Sequence, residues 1–185
     1  MSGTIIIGAG QAGSAAAAKL RNLGYEDDIT LIGAETAPPY QRPPLSKKYM
    51  LGEMELERLY LRPIDFYETN NIALRLGTKV DSIDTTEQSI SVQGETLSYD
   101  NLILTTGSWP RRLPAKIGGD LAGVYSMRDL TDADAMANEF QEGRRTLIIG
   151  GGYIGLEAAA VAAKKRVNVT LVAVSYTHLT LPTKA

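Results

Sequence analysis

Apolar positions along the chain fall into short β-branched runs that alternate with longer stretches of small residues. Thr4-Ile5-Ile6-Ile7 is a continuous run of the kind buried on both faces of a parallel sheet. Gly8 ends it. Gln11 to Leu23 sets Ala12 and Ala15 to Ala18 beside Leu20 and Leu23, which predicts a helix lying close to a sheet, and Gly24 stops it. Asp28-Ile29-Thr30-Leu31-Ile32 is a second strand, completing a βαβ unit. Farther on, residues 72–76 and Thr78-Lys79-Val80 read as strand and turn. Residues 89–92, 96–99 and 101–105 read as a small antiparallel meander returning to the main sheet. Thr131 followed by Asp132 and Asp134 predicts a helix to about Glu142, closed by Gly143. Thr146 to Ile149 repeats the buried-strand pattern, and an Ala-rich helix over 156–165 leads to a strand over 167–172.

The two βαβ starts share their glycines. Gly8-Ala9-Gly10-Gln11-Ala12-Gly13 and Gly150-Gly151-Gly152-Tyr153-Ile154-Gly155 stand 142 positions apart, far beyond the period of a solenoid, so two related domains in tandem are expected. Gly8 permits the tight turn, Gly10 lets backbone approach a pyrophosphate, and Gly13 allows close helix–strand packing. The helix N-terminus adds free N–H donors. Glu35, 22 residues past Gly13, stands where an acid holds a ribose hydroxyl pair. The alternative is a structural Gly-rich turn with a solvated Glu35. The fold class expected is α/β: a Rossmann-like dinucleotide domain with a small antiparallel β meander, followed by the start of a second Rossmann-like domain.

Composition narrows the chemistry. The 185 residues contain no Cys, which excludes disulfides, thiolate metal sites, Cys nucleophiles and C-x-x-C redox pairs. The only His is His178, so no His-based metal site is expected. Redox chemistry would therefore need a bound cofactor. Nineteen basic against 21 acidic residues, with neither sign massed, leave no footprint for nucleic acid or anionic membrane. No apolar run reaches the roughly 18 residues of a membrane span, and no signal peptide precedes the first strand, so a reduced, cytoplasmic setting is expected.

Pro38-Pro39-Tyr40-Gln41-Arg42-Pro43-Pro44-Leu45-Ser46-Lys47 is predicted to be a stiff loop without regular structure, because its four prolines fix φ and remove donors. Taken with Gly-Ala-Gly-Gln-Ala-Gly, Leu-Ile-Gly-Ala-Glu at 31–35 and Leu-Tyr-Leu-Arg-Pro at 59–63, it resembles the FAD-dependent NAD(P)H reductases of the ferredoxin, putidaredoxin and rubredoxin reductase group, from residue 4 to about residue 172. The resemblance implies FAD and NAD(P)H as cofactors and a ferredoxin-type iron–sulfur protein as electron acceptor. It sets Arg42 and Lys47 against the flavin nucleotide, where a Lys charge would stabilise negative charge on the reduced ring; otherwise they are two solvated loop cations. Val80 would meet the adenine through its backbone, or be a plain sheet valine. Thr105-Thr106-Gly107 resembles the Ala-Thr-Gly segment closing the FAD half, with Thr105 in place of Ala. Arg128, in Tyr125-Ser126-Met127-Arg128-Asp129-Leu130, is carried over as a flavin contact. The second fingerprint, with Gly150, Gly152, Tyr153, Ile154 and Gly155, would bind NAD(P). Glu157, placed in the first helical turn, would approach the flavin edge within reach of Lys47 or be an ordinary dipole-favourable Glu.

This implies an FAD-binding domain over 1–112, its first half only, and an incomplete NAD(P)-binding domain over 113–173. The acid expected at position 173 is replaced by Ala173. Residues 174–185 are read as a non-native tail: Val174 to Thr183 resembles a transposase-type sequencing adapter beginning CTGTCTCTTATACACATCT, translated in its third frame. The chain is thus expected to be an inactive N-terminal fragment. Two rivals share the architecture. A disulfide reductase is disfavoured by the missing thiols, and an apoptosis-inducing-factor-like regulatory flavoprotein by the near-neutral charge.

Overall fold

A computed structural model describes residues 3–173. They form two compact units that do not follow chain order. The first contains the residues through Gln41 together with Leu59–Trp109; the second joins Arg42–Arg58 to the residues from Pro110 onward. The proline-rich segment is thus split after Gln41, and Arg42, Ser46 and Lys47 belong with the second fingerprint. The expected tail after position 173 lies outside the described residues.

In the first unit, β1 (Thr4–Ile7), β2 (Ile29–Ile32), β3 (Ile72–Arg75) and β7 (Asn101–Leu104) form an all-parallel sheet in the order β3-β2-β1-β7. Ile6 and Leu31 are fully buried and Ile29 almost so, as their continuous apolar runs require. The helix α1 (Gln11–Asn22) covers one face, with Ala17 in a core of Ile6, Leu31, Ile72 and Tyr67, the last from the short helix α2 (Asp65–Thr69). The other face packs Ile5 and Ile32 against Ile90, Val92 and Tyr99. These come from the meander of β4 (Val80–Asp84), β5 (Ser89–Val92) and β6 (Glu95–Ser98), which is antiparallel as expected, except that its first strand is the segment beginning at Val80. Residues 101–104 leave it to pair with β1.

Ser14 on α1 and Tyr67 are tied by a buried hydroxyl pair at 2.9 Å. Burial raises the Tyr67 phenol above its ordinary value, the Ser14 bond and Arg62 opposing it. Tyr67→Phe leaves a buried Ser14 hydroxyl without this partner and is expected to cost about 1–3 kcal/mol in urea unfolding, with the sheet intact.

In the second unit, β8 (Arg145–Ile149) and β9 (Asn168–Val172) pair in parallel and α4 (Tyr153–Lys164) joins them. Val161, Ala162 and Val167 pack with Met50 and with Phe140, which follows α3 (Leu130–Glu139). Three expectations are corrected here. Helix α3 starts earlier than Thr131 and stops before Glu142. Its cap is Asp129, whose side chain accepts from the Asp132 N–H while Asp132 accepts from the Asp129 N–H, a reciprocal pair that outcompetes a start at Thr131. Asp129→Ala is expected to lower stability by about 1 kcal/mol, read as a lower midpoint in thermal unfolding. The proline-rich loop is not wholly irregular, since Leu45–Tyr49 makes a helical turn broken at Lys47 once the prolines are passed. And β8 is not buried on both faces: Leu147 is 59% and Ile149 56% exposed, because one face of this two-stranded sheet is open.

Candidate functional site

Every phosphate-binding feature anticipated in the first unit lies at the carboxyl ends of its parallel strands, the edge where open α/β sheets bind ligands. The Gly8 N–H donates to the Ile32 carbonyl at 2.8 Å, so the chain turns out of β1 beside the end of β2. Gly8 takes φ +116°, and a Cβ there would stand 2.1 Å from the Thr105 carbonyl oxygen. A Cβ on Gly13 would stand 2.0 Å from the Gly8 carbonyl oxygen. By contrast, a Cβ on Gly10 would meet nothing within 4 Å, so the surface above it is open to a ligand. Helix α1, which contains Ala12, has neither a side-chain cap nor an acid in its first turn, unlike capped α3, and leaves its first N–H groups available.

The remaining first-unit candidates converge on the same edge. Glu35 is half-buried and its carboxylate accepts from the Tyr40 hydroxyl. Tyr40, 4% exposed, escaped the sequence reading because a tyrosine between prolines carries no signal of its own. The Gly77 N–H donates to the Glu35 carbonyl at 2.9 Å and Thr78 N–H to that of Gly33 at 2.8 Å, which brings the approach to Val80 alongside. Val80 is itself half-buried and packs on the cluster around Ile90 and Val92. Thr106 and Gly107 are exposed just beyond β7. Thr105 ties the turn to β7, because its Oγ1 lies 2.8 Å from the Gly8 carbonyl oxygen and 3.1 Å from that of Ile7, a tether that alanine could not supply.

In the second unit, Gly150 repeats the φ of +116° and its N–H donates to Val172 at 2.8 Å. A Cβ on Gly155 would stand 2.1 Å from the Gly150 oxygen, as Gly13 does with Gly8. Gly152 caps α4 without a side chain, while Tyr153 and Ile154, inside the first turn, are exposed. Val172 takes the place of Ile32 in this register. Ala173, the position where an acid is expected, therefore follows β9 as Gly33 follows β2.

The same unit brings together Arg42, Ser46, Lys47, Arg128 and Glu157. Lys47 Nζ stands 2.9 Å from Glu157 Oε1, and Ser46 Oγ donates to Oε2 at 2.5 Å. Arg42 donates to the Arg128 backbone carbonyl at 2.9 Å, so the structure gives that contact to the main chain of Arg128. Because α4 begins at Tyr153, Glu157 lies in the second turn and not the first, where the helix dipole is weaker. Partial burial pushes its carboxyl up, but the Ser46 and Lys47 hydrogen bonds and the Lys47 charge outweigh this and hold it below its ordinary value of 4.5. Its stabilising contribution is therefore complete above that value and is lost as pH falls through the lower, folded-state midpoint. Glu157→Gln is expected to flatten the acid limb of a stability-against-pH profile while leaving neutral-pH folding intact.

Residues 3–183 match the family model of the pyridine nucleotide-disulphide oxidoreductases, and the chain belongs to that family. It is 44% identical over 169 residues to a ferredoxin–NAD(P)+ reductase of Sphingomonas sp, covering 91% of this chain and 41% of that protein. Against putidaredoxin reductase of Pseudomonas putida the identity is 42% over 170 residues, covering 90% and 40%. A solved covalent putidaredoxin reductase–putidaredoxin complex superposes with a TM-score of 0.87 at 42% identity, over 92% of this chain and 42% of that one. The chain spans about two-fifths of the length of the curated relatives it matches. No helix among the described residues is long and apolar enough to cross a membrane.

Proposed function

We propose that this chain is part of an FAD-dependent NAD(P)H oxidoreductase that reduces a ferredoxin-type iron–sulfur protein of an oxygenase system in the cytoplasm. The observation that carries the reading is the first-unit edge: a Gly8–Gly13 turn closed by Thr105, an uncapped α1, and Glu35 held by Tyr40. These residues fit a dinucleotide. Backbone N–H groups of α1 would hold the pyrophosphate, Glu35 the adenosine ribose and Val80 the adenine, with Thr106 and Gly107 beside them. Arg42, Lys47 and Arg128 are assigned to the flavin, and Gly150, Gly152, Tyr153, Ile154 and Gly155 to NAD(P). Residues 1–112 are assigned to FAD binding and 113–173 to NAD(P) binding, Arg128 being the one flavin contact assigned within the latter range beside Glu157 at its redox edge. When bound, the cofactors supply hydride acceptance from NAD(P)H and one-electron delivery onward. Lys47 would hold a positive charge at the redox edge, and Glu157 would keep that charge in place. The sequence given has no Cys, so although the family is named for disulphides, no thiol of these residues takes part. A chain of the relatives' full length carrying these residues should reduce a ferredoxin with NADH or NADPH, whereas the 185-residue chain should not turn over. Reduction of a disulfide substrate in preference to any iron–sulfur acceptor would sink this reading.

A further inference from the structure

Ser46 and Lys47 are neighbours in the chain, yet they grip opposite oxygens of one carboxylate. Successive side chains of a regular helix diverge by about 100° and could not do so. The turn over Leu45–Tyr49 departs from helical geometry at Lys47, with φ −131° and ψ −113°, and this lets both reach Glu157. The turn is pinned on either side: Leu45 is 2% and Met50 1% exposed, and the Tyr49 hydroxyl donates to Asp134 Oδ1 at 2.7 Å. On α4, Ala158 and Val161 are 3% and 4% exposed, so the carrier of Glu157 is equally fixed.

The partners differ in what they contribute. The Lys47 side chain is 49% exposed, and an exposed ion pair on a long side chain does little by itself to hold one geometry. Ser46 is 5% exposed, with a short side chain and a hydroxyl already aimed at Oε2. We propose that Ser46 is a positioning residue: its buried hydroxyl locks the Glu157 carboxylate, so that the remaining oxygen holds the Lys47 ammonium in one place. What that ammonium serves rests on the function proposed above; the clamp does not. Of the other charges on the surrounding elements, Asp134 of α3 accepts from Tyr49 and Lys164 of α4 pairs with Glu53, while Lys48 of the same turn is exposed.

The test is a ¹³C NMR titration of the Glu157 carboxyl in the 185-residue chain without cofactor. In the parent chain the midpoint should lie below that of an ordinary glutamate. Ser46→Ala, nearly the same in volume, should move it up, and Ser46→Thr, which keeps the hydroxyl, should leave it low. If the alanine chain does not fold, Ser46→Cys, with a weak donor of similar size, should show the same upward shift. An unchanged midpoint in a folded Ala or Cys variant overturns the proposal, as does a Thr variant shifted as far as Ala. A merely space-filling Ser46 would give that first result. Failure of a chain of the relatives' full length to bind FAD would contradict the functional reading and leave this titration unaffected.

Discussion

Gly8→Ala is expected to be the most damaging single change in the described chain, and the same substitution at Gly150 a markedly milder one. Both positions hold φ +116°, a conformation that costs an L-residue about 1–3 kcal/mol. At Gly8 the new methyl would also meet the Thr105 carbonyl at 2.1 Å, which adds a further overpacking cost of roughly 1–3 kcal/mol. At Gly150 a Cβ would find nothing within 4 Å, because among the described residues no strand lies where β7 lies in the first unit. Native-state hydrogen exchange, read separately at β1 and β8 amides, measures each local loss. Equal losses at the two sites would show that the Thr105 contact is not what makes the first turn rigid.

Glu35→Ala is expected to weaken binding of an ADP-containing nucleotide roughly 10- to 150-fold, the range for losing a hydrogen-bonded charged group worth about 1.5–3 kcal/mol. Tyr40→Phe removes the donor to that carboxylate but leaves its charge, so a smaller loss is expected. Calorimetric titration of both variants with ADP checks the order. A Tyr40→Phe loss as large as that of Glu35→Ala would mean that Tyr40 itself touches the nucleotide.

The parallel sheet and both fingerprint turns are legible in the sequence because they rest on local rules: β-branched runs make buried strands, and Gly is needed where φ is positive or backbone approaches backbone. The same rules fail at β8, where Leu147 and Ile149 have the composition of a two-faced core strand but only one face is covered. A pattern states what a strand can bury, not what is present to bury it. The cap of α3 falls two residues before Thr131 because Asp129 and Asp132 act as a pair, which Thr131 read alone does not reveal. The link between Lys47 and Glu157 is legible only through resemblance, since 110 positions separate them. Ser46 and Tyr40 escape a reading of the sequence because each acts on another site residue, a relation that exists only once the chain is folded.

The central claim is that the β1–α1 turn and Glu35 form a dinucleotide site for FAD. An ¹⁵N NMR titration of the 185-residue chain with FAD, and separately with ADP and riboflavin, tests it most directly. FAD and ADP should both perturb the amides of Gly8, Gly10, Ala12, Gly13, Glu35 and Val80, riboflavin should leave them unmoved, and Glu35→Ala should remove most of the effect. If these amides stay still while FAD binds elsewhere, or respond to riboflavin as strongly as to ADP, the account is wrong.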